Sequence, residues 1–171
     1  MDPKKIYKFC PICCHKLIEK PDNPECSSCG FIFYINPAPA NALIIENDEQ
    51  EVLLVKRKHD PKKGYWDLPG GFINPREDIE TSCKRELKEE LGVDIEVNKL
   101  VGLYPDKYIF QNVAYPTLTI VFVAKIIGGK LSPADDVASY AFFPREQVFQ
   151  QELAFPSIRK ALEDYIAQCK K

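Results

Sequence analysis

The sequence predicts an α/β chain, a mixed sheet lying between helices, with a small cysteine-rich module in front of it. Three observations predict it. Short apolar runs bounded by turn residues read as strands. Segments 75–91 and 156–169 carry apolar residues at helical spacing. Two C-x-x-C pairs fall within the first thirty positions, and Asn36-Pro37-Ala38-Pro39 reads as a linker behind them. The expected division is therefore 1–35 and 36–171, and 171 residues suffice for one ordinary domain plus a small appendage.

The cysteine pairs come first in the chain. Cys10-Pro11-Ile12-Cys13 and Cys26-Ser27-Ser28-Cys29 are two knuckles whose four thiolates can converge tetrahedrally on Zn²⁺. Two disulfides are the rival pairing, and the lack of a recognisable leader favours a reducing, cytoplasmic setting in which metal prevails. Gly30 follows the second knuckle, whereas Cys14 stands where the first would have its glycine, so Cys14 and His15 compete as possible ligands. Four protein ligands leave no open position, which makes such a zinc structural. Cys83 and Cys169 are expected to be buried or inert.

Segments 40–46 and 51–57 are apolar strands joined by the polar turn Asn47-Asp48-Glu49-Gln50. Leu68-Pro69-Gly70-Gly71 ends a short strand in a tight turn. Asn74 as N-cap, Pro75 at the first helical position, Glu77 three residues on and Gly92 past the end predict a helix over 75–91. A strand over 95–103 follows, and the nearly continuous apolar run 117–127 should be a central strand broken by Gly128-Gly129. Segment 144–149 suggests a short helix. Ile158, Ala161, Leu162, Tyr165 and Ile166 define a terminal amphipathic helix over 156–169.

The helix over 75–91 carries the chemistry. Glu86, Glu89 and Glu90 place three carboxylates within five residues. At 100° per residue Glu86 and Glu90 lie about 40° apart, with Glu89 about 60° to the other side of Glu86. Cys83, Leu87 and Leu91 form the adjoining apolar stripe, and Thr81, Lys84 and Lys88 face water. Clustered like charge at the edge of a buried face is tolerable when a divalent cation neutralises it, and oxygen-only ligands suit Mg²⁺ or Mn²⁺. A solvated acidic helix with ordinary i,i+4 pairs is the plain alternative. It leaves the preceding glycine turn and Glu77 unexplained.

Segment 71–93, GFINPREDIETSCKRELKEELGV, resembles the Nudix box, G-x5-E-x7-R-E-U-x-E-E-x-G-U, at every specified position: Gly71, Glu77, Arg85, Glu86, Leu87, Glu89, Glu90, Gly92 and Val93. The resemblance implies an α/β/α sandwich. It implies that Glu86, Glu89 and Glu90 bind catalytic Mg²⁺ or Mn²⁺ with help from the Gly71 carbonyl, and that Glu77 and Arg85 form a salt bridge holding the loop on the helix. The C-x-x-C-G ribbon, Tyr34, Asn36-Pro37 and the segment Leu153-Ala154-Phe155-Pro156-Ser157 are similar to the zinc-ribbon branch of that family. That branch includes NADH pyrophosphatases and ADP-ribose hydrolases. No stretch after Val93 reproduces the SQPWPFPxS motif of its NADH-cleaving members. ADP-ribose, or another nucleoside diphosphate linked to a second group, is therefore the expected substrate.

In the expected chemistry, metal-activated water attacks one phosphorus of the diphosphate and two monophosphates leave. The general base is sought among Glu89, Glu90, Asp135, Asp136, Glu146 and Glu152. Asp136 and Arg57 are candidate substrate-binding residues. The basic stretch Lys56, Arg57, Lys58, Lys62 and Lys63 reads either as a solvated loop or as a phosphate-steering patch. Tyr65, Trp66, Tyr104, Tyr108, Phe110 and Tyr115 are candidates for stacking on a base, with core packing the plainer role. A net charge of −2 gives no general drive towards nucleic acid, and no apolar run is long enough for a membrane span. The partner is then a small nucleotide, with a homodimer among the options the resemblance brings. A triphosphate pyrophosphatase, a nucleotide-sensing regulator and a cap-cleaving enzyme are the alternatives.

Overall fold

The computed structural model describes residues 5–21 and 23–169; positions 1–4, 22, 170 and 171, which include the outer ends of both expected domains, lie outside the described residues. The chain forms two compact units. The first comprises Met1–Ala38 together with Lys107–Pro116, and the second Pro39–Asp106 with Thr117–Lys171. The sequence reading had assigned 107–116 to the second domain.

In the first unit β1 (Leu17–Ile18) and β2 (Glu25–Cys26) pair antiparallel, with Leu17 opposite Cys26. Each cysteine pair sits in a tight knuckle: Cys14 N–H donates to the Cys10 carbonyl and Gly30 N–H to the Cys26 carbonyl. Both closing residues are left-handed, Cys14 at φ 60° and Gly30 at φ 73°. The first knuckle thus takes at Cys14 the conformation that glycine gives the second without steric cost. The rings of Tyr7 and Phe33 stack at 4.4 Å on the ribbon.

The second unit follows from period-2 alternation in two strands, β3 (Ala38–Ile45) and β4 (Glu51–Arg57). Ala42, Ile44, Val52 and Leu54 point into one layer, with Ile158, Ala161, Leu162 and Ile166 of α2 (Pro156–Cys169). Leu43, Ile45, Leu53 and Val55 point into the other, with Cys83, Leu87 and Leu91 of α1 (Ile79–Leu91). Sheet residues apolar on both faces require a helix on each, which is the α/β/α sandwich. The strands form two three-stranded sheets. One has the order β3-β7-β6, where β6 is Val93–Phe110 and β7 Val113–Gly129, so β7 is central. The other has the order β5-β4-β8, where β5 is Trp66–Asp67 and β8 Val137–Pro144. β4 pairs antiparallel with both neighbours, while the bridge between Trp66 and Leu153 is parallel and makes the arrangement mixed.

Several expectations need correction. α1 begins at Ile79, not Pro75. Arg76 adopts φ 68°, which interrupts any helical run through it. Asp78 is the N-cap, accepting from the Thr81 N–H at 2.9 Å and from its hydroxyl at 2.8 Å. Asn74 N–H donates to the Glu77 carboxylate and Glu77 N–H to the Asn74 backbone carbonyl, so a turn ahead of the helix makes only the glutamate half of a capping box. β6 and β7 run beyond the expected strands, and Gly128 and Gly129 close β7 instead of breaking it. β8 was not foreseen, and the expected short helix reduces to a 3-10 turn at Val148–Gln150.

Candidate active site

The site is built where β3 meets the glycine turn and the turn meets α1. Three backbone bonds seat the turn on β3: Leu43 N–H to the Pro69 carbonyl, Asn41 N–H to the Gly71 carbonyl at 2.8 Å, and Ile73 N–H to the Pro39 carbonyl. Gly70 has φ 137°, a region open to glycine alone, and a Cβ there would lie 2.5 Å from the Asn41 carbonyl oxygen. A Cβ on Gly71 would lie 2.7 Å from the carboxylate carbon and both oxygens of Glu86. The two glycines therefore let the turn close directly onto the acidic face of α1.

Arg85 organises that face. Its Nε and Nη2 donate to the two oxygens of Glu77 at 2.7 and 2.9 Å, and Nη1 donates to Glu86 Oε1 at 2.8 Å and Glu89 Oε2 at 2.9 Å. Nη2 also reaches the Phe72 carbonyl at 3.2 Å, tying the loop to the helix. The Arg85 bonds, aided by the Asn74 N–H, hold the Glu77 carboxyl down at about 2. Burial pushes the Glu86 carboxyl up against the pull of Arg85. Glu90 is 7% exposed, and its Oε2 accepts the Gly70 N–H at 3.0 Å. Burial raises it to about 8, with the Gly70 N–H opposing and the charges of Glu86, Asp67 and Asp136 adding to the rise.

The donor set fits a hard divalent cation. It consists of three carboxylates and a carbonyl, and Arg85 engages Glu86 and Glu89 through one oxygen each. Among the described residues Cys10, Cys13, Cys26 and Cys29 form the group of metal-type ligand atoms lying within 4.8 Å of one another. Sulfur pairs Cys10–Cys29, Cys13–Cys26 and Cys13–Cys29 stand at 3.6, 3.4 and 3.4 Å. Four zinc–sulfur bonds of about 2.3 Å in a tetrahedron put sulfurs roughly 3.8 Å apart, so these thiols fit that ion. The Cys29 and Ser28 N–H groups, with neighbouring thiols, draw Cys26 down to about 6. Cys14 and His15 stand outside the group, and His15 Nδ1 donates to the Cys13 carbonyl at 3.2 Å.

Other candidates are placed differently. Arg57 is committed locally, its Nε to the Pro61 carbonyl at 2.8 Å and its Nη1 to Asp67 at 3.1 Å. Asp136 is exposed beside His59, yet its charge reaches Glu90. In the basic loop Lys56 lies over Trp66, Lys62 over Tyr65, and Lys58 donates to the Asp135 carbonyl. Trp66 packs edge-on against Phe143 and Tyr104 is buried with its hydroxyl on Asp164, so both are packing residues. Sequence reasoning missed Asp67. It is 7% exposed, bound by Arg57 and by the Leu68 N–H, and burial lifts it to about 6. Its only sequence signal is a carboxylate immediately ahead of the Leu-Pro-Gly-Gly turn.

A glycine turn closing on an arginine-braced acidic helix, carried by an α/β/α sandwich, defines a metal-assisted hydrolase scaffold. The NUDIX domain family model matches residues 36–165, and the chain belongs to the Nudix family of hydrolases. An ADP-ribose pyrophosphatase of Methanocaldococcus jannaschii is 37% identical over 88% of this chain and 83% of its own. An NAD-capped RNA hydrolase NudC of Chromobacterium violaceum is 28% identical over 75% of this chain and 46% of its own length. The crystal structure of a Nudix hydrolase from Nitrosomonas europaea superposes with a TM-score of 0.75 at 26% identity, covering 94% of this chain and 91% of that one. Among the described residues no helix is long and apolar enough to cross a membrane.

Proposed function

We propose that the chain hydrolyses the pyrophosphate bond of ADP-ribose or a similar nucleoside diphosphate joined to a second group. The observation that carries this reading is the missing Cβ of Gly71, which brings the turn against the Glu86 carboxylate while Gly70 holds Glu90. The 37% identity to an ADP-ribose pyrophosphatase across most of both chains supports the substrate class.

Glu86, Glu89, Glu90 and the Gly71 carbonyl would hold Mg²⁺ or Mn²⁺, which supplies charge neutralisation at the phosphoryl oxygens and acidifies bound water. The Gly71 carbonyl already accepts one N–H from Asn41 and keeps a second lone pair. Arg85 and Glu77 keep the loop and the carboxylates in register. Glu90 is the proton acceptor in this reading: one oxygen is fixed by Gly70, and burial makes its carboxylate a stronger base than an exposed one. Asp136 adds negative charge near that base and belongs to the substrate side of the site. Arg57 acts through Asp67, its guanidinium being already engaged.

The ribbon, residues 1–35, carries structural Zn²⁺ on Cys10, Cys13, Cys26 and Cys29, and residues 36–171 carry the chemistry. Thiolate ligation of this kind agrees with a reducing cytoplasm. A homodimer is the expected assembly, to be read by sedimentation. The deciding experiment is a panel of ADP-ribose, NADH, a capped RNA and dGTP with Mg²⁺ and product identification. ADP-ribose should give AMP and ribose 5-phosphate fastest; preference for dGTP, or no turnover of any diphosphate-linked nucleoside, defeats the proposal.

A further inference from the structure

Two polar residues lie in the apolar seam between β3 and α1 without a role in the chemistry above. Asn41 is 2% exposed and Ser82 is fully buried. Residues 42–45, which follow Asn41 on β3, are all buried and apolar. Asn41 Oδ1 has no hydrogen-bond partner, and a buried orphan acceptor is destabilising by about 1–3 kcal/mol. A serine at the fourth position of a helix, as Ser82 is in α1, likewise contributes nothing to helix stability over alanine. Stability alone would favour apolar residues at both positions.

Their contacts explain them. Asn41 Nδ2 donates to Ser82 Oγ at 2.9 Å. Arg85 Nη2 donates to the same Ser82 oxygen at 3.3 Å, and Arg85 in turn holds the Glu77 carboxylate through Nε and Nη2. Asn41 also touches the other half of the site. Its N–H holds the Gly71 carbonyl at 2.8 Å, and its carbonyl oxygen and Oδ1 lie 2.5 and 2.8 Å from where a Cβ of Gly70 would be. Ser82 Oγ therefore joins the strand that seats the glycine turn, through Asn41, to the Glu77–Arg85 pair that holds Glu86 and Glu89.

We infer that Asn41 and Ser82 are positioning residues, setting the Glu77–Arg85 clamp relative to the glycine turn. The inference rests on the functional reading above only for its kinetic readout. Supporting groups of this kind typically change activity by about 10–100-fold when removed. Because the two act in series, removing both should do no more than removing one.

The test uses Ser82→Ala, which fits the same volume and keeps the helix, Asn41→Leu, which keeps the branched shape without the donated hydrogen bond or the orphan acceptor, and the double variant. Full-length proteins with zinc bound are compared for kcat and KM on ADP-ribose with Mg²⁺, for Tm, and for solvent exchange of the Arg85 Nε–H in ¹⁵N spectra. Each single variant should lose about tenfold in kcat with KM little changed, exchange the Arg85 Nε–H faster, and keep most of its Tm. The double variant should match the worse single. Wild-type kcat in S82A, losses that multiply in the double variant, or a lowered Tm with unchanged kcat would overturn the inference. If the wild type leaves ADP-ribose intact, the functional reading fails and the Arg85 signal decides this one. Faster exchange in S82A then supports it, and unchanged exchange overturns it.

Discussion

The ribbon and the acidic helix are both built to hold a cation, and they prepare for it in opposite ways. The ribbon gathers four soft thiols within 4.8 Å, steadied by backbone N–H groups such as that of Ile12 on Cys10 at 3.4 Å. The helix spreads its hard carboxylates and steadies them with a guanidinium and a glycine N–H. A closed set of four ligands leaves nothing for a substrate to share, so an ion bound by them would only hold the chain together. Carboxylates held by one oxygen each keep the other for a cation that must also touch phosphate. Ligand softness and openness, more than ligand number, separate a structural centre from a catalytic one.

Four substitutions press on that contrast, ordered by their expected effect on turnover. Glu89→Gln and Glu90→Gln remove charge from the open site, and each should cost about a hundredfold to a thousandfold in kcat, with zinc content unchanged. Equal turnover in both variants and the wild type would show that the helix does not carry the chemistry. Gly71→Ala comes next. The new Cβ must displace the end of the Glu86 side chain, a shift that costs little in Tm but up to about a hundredfold in rate, since misplacement by 1 Å can cost that much. Cys26→Ser should do the reverse, losing zinc by elemental analysis and lowering Tm, with turnover per folded molecule reduced only secondarily. Full zinc retention in that variant would remove Cys26 from the ligand set.

How much of this was legible depended on how local each cause is. The bounds of β4 and α2 follow from the polar turn before Glu51 and from Pro156, and the αL residue Gly92 ends α1 as its position suggests. Both cysteine knuckles and the order of Glu86, Glu89 and Glu90 are read within a few residues. The start of α1 misled because Asn74-Pro75-Arg76-Glu77 and Asp78-Ile79-Glu80-Thr81 both offer caps, and only the left-handed Arg76 decides between them. β8 has no clean alternation, and its register is set by β4, eighty or more residues earlier. Asp67 acquires meaning only when β5 pairs with β4 and brings Arg57 to it, and Asn41 only when β3 is laid against Ser82, 41 residues on. Chemistry written along one helix is visible in sequence, whereas its supports, coming from other strands, need the fold.

The smallest effect sharpens the comparison most, because the open site carries a buried carboxyl held far above its ordinary range. Glu90 sits at about 8 in the folded protein against an ordinary 4.5. Between those values the folded chain keeps a proton that the unfolded chain has released, so stability falls as pH rises through the window. Asp67, raised from 3.8 to about 6, acts in the same direction at lower pH. Glu77 acts oppositely: its depressed pKa contributes stability above 4.5 that is lost as pH falls towards 2. On these three groups wild-type protein without added Mg²⁺ should therefore be most stable near pH 4 and lose up to a few kcal/mol by pH 8, each unit of pKa shift corresponding to about 1.4 kcal/mol. Glu90→Gln should flatten that slope, and adding Mg²⁺ at pH 8 should raise the Tm of the wild type and not of the variant. Parallel Tm-against-pH curves for the two proteins would mean that burial of Glu90 is relieved by something other than a proton or a cation.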